Sequence, residues 1–172
     1  GKMLGKGGFA RCYELTEQAT GKTYAGNAIL LKSLSKKRYS EKLALEIKIH
    51  GSLVHQYVCR LYSTFHDTIA YYLIMELCSG GTLADLIKAR GCLTEPEARY
   101  FMRQLLLAMA HMRDKGIIHR DLKPANVFLS ETLEVKVGDF GLATIMHTET
   151  ERHTSMCGTP NYIAPEILAT HI

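Results

Sequence analysis

Two short stretches hold residue types that could move a phosphoryl group. In HRDLKPAN, residues 119 to 126, Asp121 in a loop can accept a hydroxyl proton and Asn126, five residues on, can hold a metal ion. Lys123, two residues after the aspartate, can steady a phosphoryl group in transit. DFG, residues 139 to 141, adds a second metal-binding carboxylate at Asp139 beside an apolar anchor. Phosphoryl transfer needs mainly positioning and neutralisation of charge, which these side chains supply. Either motif alone could be a polar loop or a DxG turn. Both at this spacing, followed by CGTPNYIAPE, make a chance match a matter of about one in a thousand.

The start of the chain offers a phosphate-facing loop. LGKGGFARC, residues 4 to 12, carries Gly5, Gly7 and Gly8, whose backbone N–H groups could approach phosphate oxygens. By itself the same pattern serves a tight hairpin. Gly21-Lys22-Thr23 looks like the end of a Walker A loop, but that loop's first glycine would fall on Thr16, which excludes a P-loop NTPase.

The elements that must position these residues change in character along the chain. Residues 9 to 15 and 22 to 31 read as strands joined by EQATG, and alternation puts Ala25 and Asn27 on one face. Ser40 is expected to cap a helix through Leu43, Ile47 and His50, with Glu41 in its first turn. Apolar runs at Val58 to Phe65 and Ile69 to Leu77 follow. From Ser79-Gly80-Gly81-Thr82 onward helical signals dominate. Thr94, Pro96 and Glu97 open a helix with a capping box, Phe101, Leu105, Ala108 and Met112 share its face, and Gly116 closes it. Strand-like pieces return at 127 to 129 and 135 to 137. The expected fold is α+β, with a β-rich part over residues 1–78, a helical part over 79–172, and a ligand cleft between them.

Composition narrows the class. A chain of 172 residues, 47% hydrophobic and 22% charged, suits one globular domain. The apolar run Leu105 to Ala110 is far too short for membrane insertion, and no signal segment opens the chain. Net charge is +4, and the basic cluster Lys36-Lys37-Arg38, with Lys32 and Lys42, is broken up by Glu41 and Glu46. That reads as a solvated face and not a nucleic-acid site. Cysteines at 12, 59, 78, 92 and 157 form no CxxC pair, as expected of reduced thiols inside a cell. Gly1 in place of Met reads as a fragment.

On these motifs the chain resembles the eukaryotic protein kinases, from the glycine-rich loop through Ala164-Pro165-Glu166. GKGGFA, Cys12, LTEPEAR, LEVKVGDFGLAT and CGTPNYIAPE make it similar to the polo-like kinases in particular. The resemblance implies a bilobal kinase fold, with ATP and Mg2+ as nucleotide and metal. It implies Asp121 as catalytic base, Lys123 on the γ-phosphate, and Asn126 and Asp139 on magnesium. Leu4, Cys12, Ala25 and Phe128 would enclose adenine, Met75 would be the gatekeeper, and Glu76 to Cys78 the hinge. Glu46 would be the ion-pairing glutamate of the helix; its plain alternative is a surface pair with Lys42. Lys123 and Thr159 are similar to serine/threonine rather than tyrosine kinases. Ser155, with Thr154 adjacent, falls where an upstream activating kinase would add phosphate, received by Arg120 and basic residues such as Arg152. Implied partners are proteins with serine or threonine to modify, acting within the cytoplasm or nucleus, including the centrosome, in cell-cycle control.

Two departures stand against that pattern. The family has lysine where this chain has Asn27, so a charge is missing over the nucleotide. Lys32 lies an odd number of residues further on, and Lys6 and Arg11 are the other nearby cations. The chain also stops six residues after Glu166, short of a full helical lobe, which is expected to leave apolar surface exposed. Two readings therefore compete: an active kinase, or a pseudokinase that binds nucleotide and works as a scaffold.

Overall fold

The computed structural model describes residues 1–7, 10–146, 148 and 157–169. Its β-rich part is one antiparallel sheet in the order β1 (Met3–Lys6), β2 (Ala10–Thr16), β3 (Thr23–Leu30), β5 (Ala70–Met75), β4 (Leu61–His66). The β2–β3 hairpin turns through the polar EQATG stretch, where Gly21 takes φ +71°, a conformation that favours glycine. Across the sheet Asn27 is in register with Cys12 on one side and Leu73 on the other. Cross-strand partners share a face, so Asn27, Cys12, Ala25, Ile29 and Leu73 look the same way. That face is the apolar one. Ile29, Leu61 and Leu73 are buried there with Leu43 of helix α1 (Lys37–Ser52).

Helix α1 differs from expectation at its start. It begins at Lys37, so Ser40 lies inside the first turn and is not its cap. The Ser40 hydroxyl donates to the Lys37 carbonyl at 2.8 Å, the back-bonding a serine adopts once inside a helix. The run from Val58 also starts its strand late. Cys59 donates its N–H to the Val137 carbonyl and Val137 donates to Tyr57, so this segment ties the sheet to the second half before β4 begins.

The second half contains α2 (Leu83–Arg90), α3 (Glu95–Asp114), the short strands β6 (Ile117–Ile118), β7 (Val127–Leu129), β8 (Val135–Val137) and β9 (Thr144–Ile145), and α4 (Pro165–Ala169). Helix α2 starts with a capping box between Thr82 and Asp85, and α3 with one between Thr94 and Glu97. The expected face of α3 is buried at Phe101, Ala108 and Met112, with Leu105 half-buried. Gln104 joins it, a polar residue that periodicity does not mark as core. Its side-chain oxygen accepts the Val135 N–H at 2.8 Å and so fastens α3 to β8. The principal core runs from Ile49 of α1 and Leu53 just beyond it through Phe101 and Met112 to Val135, Val137 and Phe140. Apolar surface is exposed on the far side of α3, at Met102, Leu106, Leu107 and Met109.

Candidate active site

The HRD–N stretch leaves β6 and re-enters the chain fold at β7 through a 3-10 turn, Pro124–Asn126. His119 is buried and fixes the loop from below. It accepts the Asp121 N–H at Nδ1, which leaves Nε2 to donate to the Gly138 carbonyl at 3.0 Å. Burial keeps this imidazole neutral by lowering its pKa, against smaller opposing effects from the Gly138 bond and from Asp139 and Asp121. One ring thus joins the loop carrying Asp121 to the residue before Asp139.

Asp121 is enclosed by donors. Lys123 Nζ lies 2.8 Å from Oδ2, Asn126 Nδ2 3.1 Å from the same oxygen, and the Thr159 hydroxyl donates to Oδ1 at 2.7 Å. Lys123 also donates to Thr159 at 2.6 Å. Burial by itself raises the Asp121 carboxyl; the hydrogen bonds from Lys123 and Thr159, the lysine charge and Asn126 outweigh it and hold the pKa below the ordinary value. The Thr159 contact spans 38 residues. Sequence marked Thr159 only by family likeness, because nothing local signals so distant a partner.

Asp139 stands beyond Gly138 with φ +61°, and Arg120 has φ +65°. Such values are uncommon outside glycine, and both fall within the two motifs. Arg120 Nε donates to the Leu142 carbonyl at 2.7 Å. Phe140, almost fully buried, packs its ring on His50 of α1 at 4.7 Å and on His119 at 5.2 Å. The apolar anchor expected of DFG therefore reaches the helix that carries Glu46.

Glu46 is largely buried and makes no ion pair with Lys42, so the surface-pair alternative does not hold. A Cβ at Gly141 would lie 3.4 Å from Asp139 Oδ1 and 3.6 Å from Glu46 Oε2, so the two carboxylates face the same small space. Burial first, and then the Asp139 charge, push the Glu46 carboxyl up to about 7. Among the described residues no hydrogen bond joins Asn27 to Glu46. Other cations are turned elsewhere. Lys6 and Arg11 pair with each other and Arg11 with Ala28, which puts both on the face opposite Asn27. Lys32 is exposed, in the 3-10 turn Leu31–Leu34 beyond the strand.

Of the residues expected to enclose the nucleotide, Leu4 is exposed on β1, Gly5 pairs with Cys12, and Ala25 is buried opposite Met75. Gly7 donates to the Ala10 carbonyl at 2.9 Å. Gly8 lies outside the described residues, as do Thr154, Ser155 and Arg152. Phe128 is half-buried on β7, and Gly138 has no room for a side chain because a Cβ there would meet its ring at 2.9 Å. Glu76 is held on three sides. Its backbone N–H donates to the Arg60 carbonyl, its Oε2 accepts the Arg60 N–H, and its Oε1 lies 2.7 Å from Lys136 Nζ in a largely buried ion pair. Sequence offered Glu76 for its backbone alone; the Lys136 partner is set by tertiary packing.

A sheet with a glycine-rich hairpin, a helix bringing a carboxylate to a DFG turn, and an aspartate loop beneath define the class. The chain belongs to the protein kinase domain family, whose model matches residues 1–171. Its relatives make the likeness narrower, to the polo-like kinases. It is 48% identical over 168 residues to the serine/threonine-protein kinase plk-2 of Caenorhabditis elegans, across 98% of this chain and 26% of that protein. It is 44% identical to the serine/threonine-protein kinase PLK2 of Mus musculus, across 98% of this chain and 25% of that protein. With the serine/threonine-protein kinase PLK1 of Xenopus tropicalis it shares 45%, across 98% of this chain and 28% of that protein. The chain spans about a quarter of the length of the curated relatives it matches.

Proposed function

We propose that the protein containing this chain transfers the γ-phosphate of ATP to serine and threonine hydroxyls of proteins. The observation that carries the reading is the Asp121 cluster, a carboxylate kept ionised by Lys123, Thr159 and Asn126. A substrate hydroxyl brought to Asp121 would lose its proton to that carboxylate as the new P–O bond forms. Lys123, already beside it, would steady the phosphoryl oxygens. Leu4, Cys12, Ala25 and Phe128 would enclose adenine, with Gly5, Gly7 and Gly8 over the phosphates and Met75, Glu76 and Cys78 at the hinge.

The donor set suits magnesium. Asn126 commits its Nδ2 to Asp121 and keeps its side-chain oxygen free for a metal, while Asp139 supplies a carboxylate. Mg2+ is commonly held by one or two protein oxygens together with substrate phosphates, a role these two side chains would fill. Bound there, the ion would neutralise charge on the β- and γ-phosphates.

A second reading is favoured by one observation: Glu46 faces Asp139 without the cation that a β3 lysine would bring. On that reading the protein is a pseudokinase that binds nucleotide and serves as a scaffold. Phosphotransfer by the full-length protein separates the two. If the enzyme reading is right, the native protein is active and Asp121→Asn abolishes that activity. An inactive native protein that becomes active as Asn27→Lys refutes it for this sequence. We further place the protein in cell-cycle control inside the cell, with an upstream kinase acting on Ser155 or Thr154 and Arg120 receiving the phosphate, as the polo-like resemblance implies.

A further inference from the structure

We propose that Cys59 and Cys78 are the two ends of a disulfide formed by peroxide, a covalent tie between the segment before β4 and the linker after β5. Both thiols are free in the structure and both donate to one acceptor, the Glu76 carbonyl, at 3.7 Å and 3.9 Å. Their backbones already run side by side, since Glu76 donates its N–H to the Arg60 carbonyl at 2.8 Å. Small side-chain rotations on this fixed frame would bring the sulfurs together; distant pairs cannot be bridged without moving backbone.

The two thiols divide the chemistry. Cys78 is half-buried and open to a small oxidant, whereas Cys59 is buried. Hydrogen peroxide oxidises the Cys78 thiol to sulfenic acid and is itself reduced to water. The Cys59 sulfur then attacks the Cys78 sulfur; the S–S bond forms, the S–O bond breaks, and the hydroxyl leaves with the Cys59 proton as a second water. Cys59 is shielded from solvent, so peroxide meets Cys78 first and Cys59 reacts only with the sulfenic acid formed beside it. The product removes both thiol donors from the Glu76 carbonyl. On the hinge reading proposed above, this alters the affinity for adenine nucleotide.

The test is peroxide treatment of the full-length protein followed by peptide mass mapping without reductant. The expected result is a linked pair of peptides holding Cys59 and Cys78, two hydrogen atoms lighter than their sum and separated by dithiothreitol. In Cys59→Val the linked pair is absent and Cys78 proceeds to the sulfinic acid; in Cys78→Ser, Cys59 stays a thiol. A native protein whose Cys78 is oxidised while Cys59 stays free overturns the proposal, as does a Cys78 link to another cysteine. Nucleotide affinity of the linked form is read separately. Unchanged affinity refutes the hinge consequence and leaves the link standing.

Discussion

Replacing Glu46 by glutamine should make the protein more stable, and increasingly so as pH rises. In an unfolded chain this carboxyl titrates near 4.5, but burial and the facing Asp139 push it up to about 7 in the folded protein. Between those values the folded state holds a proton that the unfolded state has released. Stability contributed by the protonated group is therefore lost as pH climbs from about 4.5 to about 7, and the loss is complete above that. At about 1.4 kcal/mol per tenfold, the span corresponds to about 3 kcal/mol against the native fold at pH 8. Glutamine keeps the shape without the charge and removes this dependence. Urea unfolding of both proteins at pH 5 and pH 8 isolates the effect, because other titrating groups cancel in the difference. The variant's advantage should grow by about 2 kcal/mol between the two conditions. A difference that stays constant with pH would show that Glu46 is already neutralised, and the account of an orphaned carboxylate would fall.

Thr159→Val removes the hydroxyl that donates to Asp121 Oδ1. A hydrogen bond to a charged group contributes about 1.5–3 kcal/mol, so the Asp121 pKa should rise and the acid limb of the pH–rate profile should move upward; a profile that does not move refutes the role. Gly138→Ala brings a Cβ to 2.9 Å from the Phe128 ring and should cost about 1–3 kcal/mol of stability, read by thermal or urea unfolding, and weaken nucleotide binding by displacing that ring. If Asn27 is the sole defect, Asn27→Lys should raise phosphotransfer by about 10²–10³, as restoring one charged donor does at comparable sites, and should bring the Glu46 titration back toward the ordinary carboxylate range.

What was legible in the sequence was what local spacing encodes. The capping box at Thr94 and Glu97 and the strands at 127–129 and 135–137 follow from residues within a few positions of one another. Strand β1 was harder to read, because all four of its residues are exposed and a glycine interrupts the alternation. Ser40 was misplaced as a cap because serine two or three positions inside a helix gives much the same local pattern. The Asp121 cluster was half legible. Lys123 and Asn126 lie in one motif, but the Thr159 hydroxyl arrives from 38 residues away, and the Lys136 partner of Glu76 from 60. Such pairs are fixed by the packing of β7, β8 and the turn after Gly158, which no periodicity reports.

The missing charge at position 27 depends on both kinds of information. Alternation along the strand identifies the face, and register with Cys12 and Leu73 fixes it. The same register removes the substitutes, since Lys6 and Arg11 share the opposite face and Lys32 has left the strand. The strand itself is undistorted, so asparagine costs the site a charge and not its shape. The consequence appears on the neighbouring helix, where Glu46 is left facing Asp139. Whatever cation relieves that pair, a restored lysine or an ion arriving with nucleotide, must lower the Glu46 pKa before the carboxylates can coexist ionised. The protonation of Glu46 with nucleotide bound therefore reports whether the missing charge has been replaced, and phosphotransfer reports whether that replacement suffices for catalysis.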